Sequence, residues 1–372
     1  MPLTMLQPTL TRLPTRSLAA AFPTAIRVRN PNRLAWLSSC MASMATRNFT
    51  TTASTTFRGS LYGEVGDGRR VATALSPCAK SQVIEDNARG ISAIAQRLPS
   101  KSETKTQHRF REFELDDRVF IVTGGARGLG LTLAEALVEA GGHVYCVDRL
   151  AEPAKEFYET KDRVGQFGGS IHYRQVDVQD AAGLDEAVGA IAAGHQRLDG
   201  LIAAAGVQFV SPALDYPPEK ITEMMNINFK GVYLSAVSCC RHMVKYDCVG
   251  SIVLVGSMSA FIANKGLRTS VYNSSKAAVV QLGRSLAMEW SNVVNGKAIR
   301  VNVLCPGNIM TPMVRKNFED EPHLKALWES ENLLGRLSQP EEYRGAALFM
   351  LSDASSFMTG SSLVIDGGYT AW

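Results

Sequence analysis

The sequence predicts a doubly wound α/β fold: a seven-stranded parallel sheet of the Rossmann type with helices on both faces, in a single domain over residues 113–372. Three observations predict it. From Arg118 onward, short β-branched runs alternate with longer amphipathic segments, with no repeat and no low-complexity break. The short runs are apolar at consecutive positions, the pattern of strands covered on both faces. A glycine-rich turn joins the first run to the first amphipathic segment, and a doubly wound sheet binds ligands at such turns, beyond the carboxyl ends of its strands.

Taken in order, strands are expected at 119–123, 143–147, 171–176, 200–204, 251–255, 300–304 and 362–365. All but 200–204 hold at least two Val or Ile, whose branched Cβ packs well on a pleated surface. Helices are expected at 129–140, 152–164, 181–195, 219–245, 271–291 and 341–352, one after each strand but the last, from apolar residues recurring at three- and four-residue spacing.

Composition is that of a globular chain: 372 residues, 45% hydrophobic and 20% charged, which excludes wholly disordered, collagen-like and coiled-coil architectures. Apolar stretches are too short for a membrane-spanning helix, so no membrane partner is expected. The net charge of +4 is too near balance for a nucleic-acid partner, but it is unevenly spread. Residues 1–63 hold seven Arg, 17 Ser or Thr, and no Lys, Asp or Glu. That composition is expected of an organellar transit peptide over 1–49, addressed to the mitochondrial matrix and cut after Phe49 in Arg47-Asn48-Phe49-Thr50. A basic tail, or translation from Met41 or Met44 to give a cytosolic form, are the alternatives. Removing 1–49 takes away six Arg and no acid, which leaves −2 in place of +4. Residues 50–112 read as a linker with one short helix at 83–98. The seven Cys form no CxxC pair and no spacing with His that suits zinc, so no metal is expected; they read as small core residues.

After the first strand comes Thr123-Gly124-Gly125-Ala126-Arg127-Gly128-Leu129-Gly130 and then a helix. Such a turn brings backbone N–H groups and a positive helix end against a pyrophosphate, although a turn serving only helix–strand packing looks the same. Asp148 ends the second strand about 20 residues on, where a carboxylate accepts from ribose hydroxyls and repels a 2′-phosphate. This favours NAD; Arg127 and Arg149, able to pair with that phosphate, keep NADP possible. Asp177 and Val178 come after the third strand, placed for the adenine edge or, for Asp177, a helix cap.

Tyr272-Asn273-Ser274-Ser275-Lys276 opens an apolar-periodic segment, so Tyr272 and Lys276 share a helix face. An ammonium about 5 Å from the phenol, at an effective dielectric near 20, contributes about 3 kcal/mol and lowers the phenol pKa by roughly two units. Tyr272 is then the acid or base for a substrate hydroxyl. Tyr216-Pro217-Pro218-Glu219-Lys220 repeats the spacing, but two prolines oppose a helix across that pair. Ser257 ends the fifth strand, placed to orient the substrate oxygen ahead of Ser259. Asn228, inside the expected helix 219–245, is placed to hold a water beside Lys276.

On these residues, 115–372 resembles a classical short-chain dehydrogenase/reductase. The match covers the glycine turn, Asp177-Val178, Asn228, Ser257, Tyr272, Lys276, Pro306-Gly307-Asn308-Ile309-Met310-Thr311 and Asp366-Gly367-Gly368. The resemblance implies catalytic roles for Asn228, Ser257, Tyr272 and Lys276. It implies cofactor contacts from Gly124, Gly128, Leu129, Gly130, Ala204, Gly206, Pro306 and Gly307, with Ile309 and Thr311 at the nicotinamide carboxamide, and a homotetramer. One departure stands out: the family's Asn-Asn-Ala-Gly after the fourth strand is here Ala203-Ala204-Ala205-Gly206, which removes amides that brace the region around Asn228. Gly250–Ser259, Ser285–Trp290 and Ile365–Trp372 resemble the fungal polyol branch, particularly the D-arabinitol 2-dehydrogenases, and imply a sugar alcohol and its ketose as substrate pair. A mitochondrial 3-oxoacyl-(acyl carrier protein) reductase is the alternative. The loop 260–271, with Asn264, Lys265, Arg268 and Thr269, is expected to line the pocket beside Gln208, Phe209 and Asn308.

Overall fold

A computed structural model describes residues 110–372. The transit-peptide and processing-site readings and the helix at 83–98 lie outside the described residues, as do Cys40 and Cys78. Packing into the sheet domain begins at Leu115, which is fully buried.

Seven parallel strands form one sheet: β1 (Val119–Thr123), β2 (His143–Asp148), β3 (Ser170–Gln175), β4 (Gly200–Ala203), β5 (Ser251–Val255), β6 (Arg300–Pro306) and β7 (Ser362–Ile365). Their spatial order is β3-β2-β1-β4-β5-β6-β7, so the winding reverses between β1 and β4. The central strands β1, β4 and β5 are buried at every position, as their unbroken apolar runs require, whereas the edge strands β3 and β7 are partly exposed.

Helices cover both faces: α1 (Gly128–Glu139), α2 (Lys155–Val164), α3 (Ala181–His195), α4 (Pro218–Met225), α5 (Val232–Lys245), α6 (Ser270–Glu289), α7 (Pro312–Asp320), α8 (His323–Ser330) and α9 (Arg344–Leu351). Leu184, Val188, Met243, Val279 and Leu286 from α3, α5 and α6 fill one side of the sheet. Leu133 and Leu137 of α1 meet Ala347 and Met350 of α9 on the other. Cys146, Cys239, Cys240 and Cys305 are buried, unpaired members of these two cores.

Two expectations need correction. The single helix at 219–245 is broken: a wide π-helical turn, Asn226–Gly231, separates α4 from α5. Gly231 lies against Val178, whose Cγ2 would stand 2.6 Å from a Cβ at this position, so the wider turn and the glycine let the chain pass β3's exit closely. The segment after β6 also holds two helices, α7 and α8, where none was expected before 341. Helix α7 fully buries only Asn317; its apolar face is just Val314 and Phe318, four residues apart and half-buried, too short a period to read. Its start was nevertheless written in Thr311-Pro312, a capping hydroxyl succeeded by a proline at the first helical position. Helix α8 buries Leu324 and Trp328 in a small separate core with Met258, Leu267, Leu337 and Tyr369.

Candidate active site

A cleft of about 710 Å³ opens at the carboxyl ends of β1, β4, β5 and β6, where the strand order reverses. Every residue expected to meet the cofactor lines it, as do Ser257, Tyr272 and Lys276. Asn228 is fully buried behind it.

The glycine turn forms one wall. Gly124 has φ +69°, and a Cβ there would lie 2.9 Å from the Ala205 backbone, so the loops leaving β1 and β4 touch at this residue. The Thr123 hydroxyl ties them together by accepting from the Ala205 N–H at 3.2 Å. Gly128, at φ +56°, has only Pro312 Cδ within 4 Å of where its Cβ would be, so it opens onto the cleft. Helix α1 starts there without a side-chain cap. Its first N–H groups and the positive end of its dipole therefore face open space, a cradle that fits a pyrophosphate.

Asp148 sits at the rim of this wall. One of its carboxylate oxygens accepts a long, 3.4 Å bond from the Leu150 N–H, and the side chain faces the cleft beside exposed Arg149. Asp177 accepts from the Gln179 N–H at 2.9 Å and does not cap α3. Asp180 does that, accepting from Ala182 and Gly183 at 3.1 Å each, so the capping alternative belongs to Asp180.

Opposite stand the groups suited to proton transfer. Tyr272 and Lys276 lie one turn apart on α6, with Lys276 Nζ 5.8 Å from the Tyr272 ring centroid. Lys276 Nζ donates to the Val255 carbonyl at 2.9 Å, which points the ammonium into the junction between β5 and the cleft. Ser257 lies just past the end of β5; its hydroxyl accepts from the Ser259 N–H at 3.1 Å, and Ser259 itself does not line the cleft. The expected lowering of the phenol pKa is not found in the protein by itself. Burial raises Tyr272, outweighing a hydrogen bond from Ser257 that favours the phenolate, and burial lowers Lys276 to about 8. Both groups are deep enough that loss of water governs the direction of both shifts.

Asn228 lies in the π-helical turn with its amide fully used. Its Oδ1 accepts from the Val207 N–H at 2.8 Å, and its Nδ2 donates to the Val207 carbonyl at 2.9 Å and to Ser275 Oγ at 3.0 Å. It is no exposed helix residue. It holds the chain leaving β4, next to the stretch where Ala203 and Ala204 carry no side-chain amide to do so.

The remaining wall differs from expectation. None of Asn264, Lys265, Arg268 and Thr269 lines the cleft, nor does Asn308. Lys265 pairs with Glu331, and Thr269 is buried against Asn264. Gln208 and Phe209 line it as expected, beside Val210; the rest of the space is taken by Met313, Val314, Lys316, Asn317 and Asp320 of α7, which were missed with the helix itself. Tyr216 and Lys220 form no acid–base pair: Lys220 bonds Glu223, and the Tyr216 ring stands edge-on to Phe209 at 5.5 Å. Among the described residues no group of His, Cys, Asp or Glu is arranged to hold a metal ion, and no helix is long and apolar enough to cross a membrane.

Comparison with known proteins agrees with this geometry. A family model described as enoyl-(acyl carrier protein) reductase matches residues 124–370. A short-chain dehydrogenase/reductase of Aspergillus versicolor is 40% identical, over 70% of this chain and 89% of its own length. A ribulose-forming D-arabinitol 2-dehydrogenase of Scheffersomyces stipitis is 36% identical, over 70% of this chain and 96% of its own. A gluconate 5-dehydrogenase from Burkholderia cenocepacia, solved in complex with NADP and tartrate, superposes with a TM-score of 0.64 at 29% identity, covering 71% of this chain and 100% of that one. The chain therefore belongs to the short-chain dehydrogenase/reductase family of oxidoreductases.

Proposed function

We propose that the protein interconverts a secondary alcohol of a sugar alcohol and the corresponding ketose with a nicotinamide dinucleotide, NAD in preference to NADP. The observation that carries the reading is the convergence of Ser257, Tyr272 and Lys276 on the cleft that holds the uncapped start of α1. The bound dinucleotide supplies the hydride acceptor or donor. Ser257 orients the substrate oxygen, and the Tyr272 phenol takes or returns its proton. Lys276 and the positive charge of the oxidised nicotinamide together favour the phenolate that burial alone disfavours. Asn228 acts as a positioning residue by fixing Val207. Asp148, at the end of β2, supports NAD, because a 2′-phosphate beside its carboxylate is repelled. The sugar-alcohol substrate rests on the resemblance of the chain to polyol dehydrogenases and on amides and charges in the wall of the cleft that Tyr272 also lines. A homotetramer and a mitochondrial matrix location through residues 1–49 belong to the same reading. Size-exclusion chromatography with light scattering tests the first, and the fate of a fluorescent fusion with and without 1–49 tests the second.

The deciding experiment tracks nicotinamide absorbance of the purified protein with D-arabinitol, mannitol, sorbitol and xylitol, each with NAD and with NADP, beside an acetoacetyl substrate run in reverse. Turnover of a polyol with NAD is the expected result. Turnover of the acetoacetyl substrate alone, with NADPH, replaces this reading by a 3-oxoacyl-(acyl carrier protein) reductase.

A further inference from the structure

Gln208 and Asn317 are 109 residues apart in the chain and meet across the cleft: Asn317 Nδ2 donates to Gln208 Oε1 at 3.0 Å. Both line the same cleft as Tyr272. Asn317 is 8% exposed and is the one buried residue of α7, a helix whose other positions are polar or partly exposed. A short helix that turns an amide inward, where an apolar residue would ordinarily pack, gains little stability from it.

Gln208 is presented from a stretch of chain fixed on both sides. Val207 is gripped at its N–H and its carbonyl by Asn228. Phe209 is held by the edge of the Tyr216 ring, by the Tyr216 hydroxyl donating to its carbonyl at 3.4 Å, and by Lys220 Nζ 5.8 Å from its ring centroid. Asn317 stands on a helix whose start is pinned by the Thr311 hydroxyl accepting from the Val314 N–H at 3.4 Å. Their mutual bond uses one donor of Asn317 and the acceptor of Gln208. It leaves the Gln208 NH2 as donor and the Asn317 Oδ1 as acceptor, side by side on rigid supports. A hydroxyl group accepts one hydrogen bond and donates another, so this pair matches it in both senses.

We propose that Gln208 and Asn317 are specificity-determining residues that recognise a hydroxyl of the substrate away from the carbon being oxidised, the Gln208 amide donating to it and the Asn317 carbonyl accepting from it. The inference deepens the sugar-alcohol reading and rests on it. A substrate lacking that hydroxyl leaves both amides without the partner they are set to meet, which is the situation in which polar sites discriminate most strongly. The chemical class selected is therefore polyhydroxylated, as against a simple secondary alcohol or an acyl chain.

The test compares kcat/KM for D-arabinitol and for cyclohexanol in the full-length protein and in Asn317→Leu and Gln208→Leu, with NAD affinity measured by fluorescence quenching. The expected result is a loss of about 10- to 100-fold on the polyol in each variant, with cyclohexanol turnover and NAD affinity changed less than about twofold. Asn317→Asp keeps the acceptor and retains more polyol activity than Asn317→Leu. Equal losses on both alcohols show that the pair only latches α7 to the chain after β4, and they overturn the proposal. So does a polyol rate unchanged in both variants. If the unaltered protein oxidises cyclohexanol but none of the polyols, the sugar-alcohol reading has failed and takes this inference with it. That outcome is distinguishable because it appears before any substitution is made.

Discussion

Asn228 grips Val207 at both of its main-chain groups, accepting from the N–H at 2.8 Å and donating to the carbonyl at 2.9 Å. The pairing resembles one rung of a sheet made by a side chain. It continues the chain of β4 into the cleft beyond Ala203 and Ala204, which have no side-chain amides to offer. It also joins the π-helical turn to Ser275, the residue before Lys276, through the 3.0 Å bond from Nδ2. One buried amide thus sets the relative positions of the cleft wall after β4 and the helix that carries the proton-transfer groups.

Asn228→Ala leaves the Val207 N–H and carbonyl without their side-chain partner in the interior. The expected cost is about 2–4 kcal/mol of unfolding free energy, together with a fall in kcat larger than the rise in KM. Urea unfolding and steady-state kinetics check this. A variant of unchanged stability shows that the grip is dispensable.

Tyr272→Phe removes the phenol oxygen and leaves the ring packing. Turnover falls by about 10²–10⁴-fold or more while NAD affinity stays within about twofold of the starting value. Burial raises the Tyr272 pKa above its ordinary value of 10, so alcohol oxidation in the unaltered enzyme climbs with pH on the alkaline side as phenolate forms, and carbonyl reduction shows the opposite slope. Substantial activity in the variant would falsify the assignment of Tyr272 as proton donor and acceptor.

Lys276 carries a stability cost. Burial lowers its pKa from 10.5 to about 8, so below pH 8 the folded protein holds a buried ammonium at an expense of about 3 kcal/mol. Between pH 8 and 10.5 the unfolded chain keeps a proton that the folded chain has released, and the contribution of this group to stability rises with pH across that window. Lys276→Met loses the hydrogen bond to Val255, worth about 1 kcal/mol, and still gains about 1–2 kcal/mol at pH 7 while turnover collapses. It also flattens the rise between pH 8 and 10.5. Denaturant curves at pH 7 and pH 9.5 measure both effects, and a variant less stable at pH 7 contradicts the assignment of a burial cost.

Asp148→Ala removes the carboxylate at the rim while Arg127 and Arg149 remain. The ratio of kcat/KM for NADP to that for NAD is expected to rise by about 10-fold or more, because a repulsion disappears and two guanidinium groups are free to meet the 2′-phosphate. An unchanged ratio removes Asp148 from ribose recognition.

Much of the molecule was legible from local pattern. Strands buried on both faces must be apolar at successive positions, so β1, β2 and β4 to β7 begin at the residues expected, and even β3 starts within one residue. The glycine turn was legible because a helix N-terminus needs Gly124, Gly128 and Gly130 at that spacing for a close approach. Tyr272 was preferred to Tyr216 because prolines are tolerated only in the first turn of a helix; Pro217 and Pro218 start α4 after Tyr216, whose ring goes to Phe209. The sequence by itself therefore determined the features that residues a few positions apart dictate: the strands, the turn, and the shared helix face of Tyr272 and Lys276. Only the tertiary structure decided the features that depend on residues far apart. It set the strand order that places the cleft between β1 and β4. It put α7, with only Val314 and Phe318 to mark an apolar face, in the place expected for the loop 260–271. It bonded Asn228 to Val207 and Asn317 to Gln208. It also reversed the expected pKa shift of Tyr272, because a phenol's charge is governed by how much water surrounding elements exclude as well as by the ammonium one turn away.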